Sequence, residues 1–203
     1  VIACEDEGAL RVLRIEREAK ANSLTAEMLG TLCDRVEEAA GQSRALVLTG
    51  GGSVFSAGAD LDEARAGLAT SPLWERLSGA VAGFPGLTIA ALNGTAAGGA
   101  MGMVLACDLR IAVPEARFFY PVMKLGFLPQ PSDPGRLRAL VGLSRARMIL
   151  MAGQKIPAEE ALAWGLVDRL VPGDALLETA RELAADSLAA APEIAAGIRE
   201  MCR

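Results

Sequence analysis

Histidine is absent from all 203 residues. That absence excludes Ser-His-Asp and Cys-His nucleophilic catalysis, the H-E-x-x-H zinc centre and the two-His iron triad. Any proton transfer therefore falls to Asp, Glu, Tyr, Lys, Cys or water. The four cysteines, Cys4, Cys33, Cys107 and Cys202, form no C-x-x-C pair, so no zinc or dithiol redox motif is present and no bound metal is expected. No apolar run reaches the ~18 residues that a membrane span needs. There is no basic excess either: the net charge is −5, whereas nucleic-acid binding requires a cationic face. Val1 to Arg14 carries neither a basic leader with an apolar stretch nor a transit-peptide pattern, so a cytoplasmic location is expected.

What is present is a hydrophobic chain, 52% apolar and rich in Ala and Gly, long enough for one domain with a full core. Ala9 to Ile15 alternates like a strand. Leu24, Met28, Leu29, Leu32, Cys33 and Val36 then recur at helical spacing, with Thr25 placed as N-cap. Strands are predicted at Ala45 to Thr49 and Leu87 to Leu92, with a helix over Pro72 to Val81 between them. Two short strands, Leu109 to Ala112 and Arg117 to Tyr120, precede a mainly helical remainder. Its predicted helices are Pro134 to Val141, Arg145 to Met151, Pro157 to Trp164, Asp174 to Ala190 and a last one opened by Pro192. Leu166 to Leu170 is a short extended piece among them. Alternation of strand and helix predicts the α/β class. A single domain over 1–203 is expected, with its core in 1–170 and a helical part in 171–203.

Two segments share one physical design, a strand leaving the core, small residues, then a helix start. They are Ser56-Ala57-Gly58-Ala59-Asp60-Leu61 and Ala97-Gly98-Gly99-Ala100-Met101-Gly102. Small residues let a ligand approach the backbone, and the first N–H groups of a helix have no intrahelical partner. Two such donors converging on one oxygen would make an oxyanion hole. Turn geometry or helix packing alone also accounts for glycines in these places. Neither segment matches G-x-G-x-x-G, and no G-K-[ST] follows a glycine run.

Four motifs in register carry a family resemblance: Arg17 to Leu24 (REAKANSL), Val54 to Glu63 (VFSAGADLDE), Ala90 to Asp108 (AALNGTAAGGAMGMVLACD) and Gly165-Leu166-Val167. Together they resemble the crotonase, or enoyl-CoA hydratase/isomerase, superfamily over nearly the whole chain. The resemblance implies the crotonase (ClpP-like) fold, with repeated ββα units and C-terminal helices, and binding of an acyl-coenzyme A. Coenzyme A would enter as part of the substrate, with no resident cofactor. It further implies that the N–H groups of Ala59 and Gly99 hold the thioester oxygen. Ala57, Asp60 and Leu61 would border the adenine pocket, Lys20 and Ala21 would lie along coenzyme A, and Gly98, Val122 and Leu125 would line the substrate site. A homo-oligomer, a trimer or dimer of trimers, follows from the same resemblance. Asp60 and Glu63 also suit a plain helix N-terminal charge.

The chain departs from the family pattern where hydratases carry two glutamates: these positions are Gly102 and Val122. General acid–base groups contribute ~10²–10⁴-fold, so ordinary water addition is expected to be crippled. Asp133 and Tyr120 are the nearest substitutes, Asp133 as a base or water-positioner and Tyr120 as a donor to the acyl group. Asp133 before Pro134 equally suits a helix N-cap, and Tyr120 equally suits a buried ring with a locally bonded hydroxyl. The last helix also ends earlier than in family members, so a shorter tail and a more open acyl site are expected. Three readings stand: an acyl-CoA enzyme working through a stabilised enolate, a catalytically reduced acyl-CoA binder or supporting subunit, and a Rossmann-type nucleotide protein, which shares the strand–glycine–helix alternation.

Overall fold

Residues 1–202 are described by a computed structural model. The chain opens with an antiparallel hairpin, β1 (Ile2–Glu7) and β2 (Leu10–Ile15). Helix α1 (Ala26–Gln42) follows, its first turn capped by Thr25, whose side chain accepts from the Met28 N–H. Such a cap stabilises by about 1 kcal/mol. The buried stripe of α1 is Met28, Leu29, Leu32, Cys33, Val36 and Ala39, which is the helical spacing of the sequence.

Next come β3 (Ala45–Gly50), β4 (Val54–Ser56), the short helix α2 (Leu61–Arg65) and α3 (Leu73–Gly83). The unit then recurs as β5 (Leu87–Leu92), β6 (Thr95–Ala97) and α4 (Ala100–Ala106). A third pair, β7 (Leu109–Ala112) and β8 (Arg117–Phe119), leads to α5 (Val122–Leu125), α6 (Asp133–Val141) and α7 (Leu143–Leu150). The remainder is β9 (Ile156–Pro157), α8 (Ala158–Trp164), β10 (Arg169–Leu170), α9 (Leu176–Ala189) and α10 (Pro192–Met201).

Each repeat splits its two strands between two sheets. The first strands, β3, β5 and β7, lie in a six-stranded sheet of order β1-β2-β3-β5-β7-β10, and the second, β4, β6 and β8, in a four-stranded sheet of order β4-β6-β8-β9. β2, β3, β5 and β7 run parallel, as do β4, β6 and β8. A parallel strand covered on both faces needs a continuous apolar run, and all six residues of β3, ALVLTG, are buried. Thr49 is no exception to polar satisfaction, since its hydroxyl donates to Ala91 O at 2.8 Å. The repeat places the end of β4 beside the end of β6, and both small-residue corners lie there.

The strand and helix positions expected from periodicity are met within a few residues. The short strands β4, β6 and β9, two or three residues each, have no predicted counterpart, and β1 and α5 differ as well. β1 was not legible, because four of its six residues are exposed and an edge strand facing solvent shows no apolar alternation. Helix α5, for which no element was predicted, follows β8 and is closed by Gly126 in the left-handed region at φ 74°.

Candidate functional site

The two corners abut. Gly58 has φ +90°, and a Cβ there would lie 2.8 Å from Ala97 O and 3.3 Å from the Gly99 nitrogen. Only glycine fits that approach. Leu24 on the other side fixes the first corner: its N–H donates to Gly58 O at 2.7 Å and its carbonyl accepts from Asp60 N at 2.8 Å. Ala57 N donates to Ala21 O and Gly58 N to the Ser56 hydroxyl. Among the described residues no protein acceptor takes the N–H of Ala59, nor that of Gly99 at the start of α4. Both residues are partly exposed. Orphan helix-start donors of this kind suit a negative oxygen.

Around the corners, Ala21 and Asn22 both hold left-handed backbone, at φ 50° and 52°. Asn22 is fully buried. Its amide donates to Gly51 O and Val54 O at 2.8 and 2.6 Å, and its oxygen accepts from Arg17 N. This clamp holds Lys20 and Ala21 against the first corner, with the Lys20 side chain exposed. Asp60 caps α2 by accepting from Asp62 N and Glu63 N. It also pairs with Arg17 at 2.7 Å, and that guanidinium holds its carboxyl below the usual range. Glu63 accepts from Ala26 N at the start of α1. Both acids thus tie helix ends together. Leu61 is exposed, as is Leu125, while Val122 is buried. Gly98, in the left-handed region at φ 58°, joins β6 to α4.

Asp133 and Tyr120 are brought together. The Tyr120 hydroxyl donates to Asp133 Oδ2 at 2.9 Å, and both residues are buried. The N-cap position of α6 belongs to Ser132, and Asp133 begins the helix with its carboxyl turned inward. The capping expectation for Asp133 is therefore replaced by a buried carboxyl–phenol pair. Burial pushes the Asp133 carboxyl up to about 6, against the pull of Tyr120 and Arg136. Burial, and then the Asp133 charge, push the Tyr120 phenol up as well.

Three neighbours carried no signal in the sequence. Trp74 on α3 lays its ring where a Cβ on Gly99 would come within 2.9 Å. Its own N–H is satisfied by Leu68 O, so the helical period shows it only as a core residue. Glu75 accepts from the Ser132 hydroxyl and N–H, which holds a second carboxylate near Asp133. Arg136, one turn along α6, stands 3.8 Å from Asp133 Oδ1. A cavity of about 620 Å³ lies elsewhere, at the far end of α4, lined by Ala106, Asp108, Ile194, Ile198 and Arg199 among others.

Comparison with known proteins assigns this arrangement to a family. The sequence model described as enoyl-CoA hydratase/isomerase matches residues 5–203. The chain belongs to that family. It is 34% identical over 203 aligned positions to the short-chain-enoyl-CoA hydratase of Clostridium acetobutylicum, covering 94% of this chain and 76% of that one. It is 38% identical over 170 positions to the carnitinyl-CoA dehydratase of Citrobacter koseri, covering 79% of this chain but 63% of that protein's length. The crystal structure of an enoyl-CoA hydratase from Bacillus anthracis superposes with a TM-score of 0.90 at 32% identity, over 98% of this chain and 81% of that one. The crotonase-type α/β fold is thereby established, and the Rossmann alternative falls away. No helix of the described residues is long and apolar enough to cross a membrane.

Proposed function

We propose that this enoyl-CoA hydratase/isomerase family protein binds acyl-coenzyme A thioesters and holds the thioester oxygen between the N–H groups of Ala59 and Gly99. The observation that carries the reading is the pair of N–H groups without acceptors among the described residues, at two touching corners. Charge developing on that oxygen as the α-carbon loses a proton would meet donors already in place, each worth roughly 3 kcal/mol in the transition state. Lys20 and Ala21, with Ala57, Asp60 and Leu61, would receive coenzyme A, and Gly98, Val122 and Leu125 would border the acyl group. No further cofactor is needed for enolate formation. The relatives are named for hydration or dehydration of CoA thioesters, but glycine at 102 and valine at 122 stand where the family resemblance implies carboxylates. The reading is accordingly enolate chemistry, with a purely binding role as the competing outcome. Exposed Met123, Leu125, Phe127 and Leu128 on and after α5, with Leu143, Met148 and Met151 further along the chain, support assembly into a homo-oligomer; a cytoplasmic location is proposed with it.

Thermal melts test the binding step. Butyryl-CoA is expected to stabilise the protein saturably, and NAD to leave it unchanged. No shift with any CoA thioester overturns the proposal. Binding without any turnover of enoyl thioesters favours the reduced binder instead.

A further inference from the structure

Gly99 and Gly102 stand three residues apart at the start of α4, so they share one face of the helix. The Gly99 N–H is one of the two free donors. One turn further on, the space over Gly102 is filled by a carboxyl from another element: a Cβ on Gly102 would lie 3.0 Å from Asp133 Oδ1 and 3.1 Å from Oδ2. The two oxygens of that carboxyl differ. Oδ2 accepts from the Tyr120 hydroxyl at 2.9 Å, whereas Oδ1 is buried and has no hydrogen-bond partner among the described residues. Arg136 Nη1, at 3.8 Å, is beyond hydrogen-bond reach and is itself unsatisfied. A buried oxygen left bare costs about 1–3 kcal/mol, more for a charged group, and such a cost persists where function uses the group.

We infer that Asp133 is the proton-transfer group of this protein, delivered from α6 to the face of α4 that Gly102 leaves open, and that it serves a one-carboxyl reaction, enolisation and 3-enoyl to 2-enoyl isomerisation, rather than water addition. The inference rests on the acyl-thioester reading above. In the step, the α-carbon C–H bond breaks, Oδ1 takes the proton, and the electron pair passes through the carbonyl carbon onto the thioester oxygen held by Ala59 and Gly99. Oδ1 then returns the proton to the α-carbon, which is exchange, or to the γ-carbon of a 3-enoyl chain, which moves the double bond. No oxidant and no water are consumed. Tyr120 is a positioning residue that keeps the carboxyl oriented through Oδ2. The charged and titratable groups around the carboxyl are Tyr120 after β8, Arg136 on α6 and Glu75 on α3; α4 carries no charged or titratable side chain.

The test uses butyryl-CoA in deuterium oxide, with α-proton exchange followed by nuclear magnetic resonance, and 3-hexenoyl-CoA followed by the rise of enoyl absorbance. The wild type is expected to catalyse both. Asp133→Asn is expected to slow both by at least ~10²-fold while still binding butyryl-CoA. Tyr120→Phe removes the bond that draws the Asp133 proton off, so the ascending limb of its pH–rate profile should move to higher pH. A merely structural tyrosine would lower the rate without moving the limb. Wild-type exchange in Asp133→Asn, an unmoved limb in Tyr120→Phe, or a wild type that binds butyryl-CoA without exchanging its α-protons overturns the inference. Failure of butyryl-CoA to bind at all removes the acyl-thioester reading itself, a distinguishable result.

Discussion

The carboxyl of Asp133 and a side chain at Gly102 compete for one volume: a Cβ on Gly102 would stand 3.0 Å from Asp133 Oδ1. The two sites are 31 positions apart in sequence and belong to α6 and α4. A carboxylate is thus present near the free Gly99 donor although α4 itself supplies none.

Placing a glutamate at 102 should give no hydratase for that reason. Gly102→Glu drives a second acid into an occupied, buried space, combining overpacking of about 1–3 kcal/mol with like-charge repulsion. The expected result is a lower melting temperature and no gain in crotonyl-CoA hydration. A gain in hydration at unchanged stability would show that Asp133 moves aside freely.

Stability should carry the imprint of the Asp133 carboxyl. Its native pKa, raised by burial to about 6 from 3.8, means the folded state holds this proton more tightly than the unfolded chain. Its favourable contribution is therefore full below pH ~4 and is lost as pH rises through about 6. Asp133→Asn removes the penalty at higher pH and keeps an acceptor for Tyr120. Urea denaturation at pH 7.5 should find the variant more stable by roughly 1–3 kcal/mol, with the difference shrinking toward pH 4. Equal or lower stability at pH 7.5 contradicts this.

Trp74 lies against Gly99, so its fluorescence should report ligand arriving at that corner. Butyryl-CoA is expected to change the emission of the wild type and of Trp164→Phe, which retains Trp74 as its only tryptophan. Conservative replacement of Trp74 by Phe should abolish the change while calorimetry still detects binding. A signal that follows Trp164 instead would place the ligand elsewhere.

Asn22 ties three backbone groups around a left-handed bend. Asn22→Ala leaves the Arg17 N–H without its acceptor, leaves Gly51 O and Val54 O with only the longer bonds from Asn93, and places alanine at positive φ, costing about 1–3 kcal/mol. The denaturation midpoint should fall and affinity for CoA thioesters should weaken with it, because the clamp also holds Ala21 against the first corner. Unchanged affinity in the folded variant would separate the clamp from the site.

Much of the molecule was legible in the linear chain because the relevant signals are local. The apolar period of α1, the unbroken run of β3 and the glycines of the two corners each follow from neighbours in sequence. Hairpin strand β1 was not legible, since an exposed edge needs no apolar pattern. The local preference of Asp133 for capping α6 gave way to its bond with Tyr120, a contact across 13 residues.

The sequence alone determined the alternation of strand and helix, the absence of imidazole chemistry and the two small-residue corners, because backbone preferences and apolar spacing act between near neighbours. Only the tertiary structure decided that Trp74 covers Gly99, that Glu75 holds Ser132, and that the Asp133 carboxyl enters the space over Gly102. Those arrangements depend on how separate helices meet, and packing across a core is not written in any short stretch of chain.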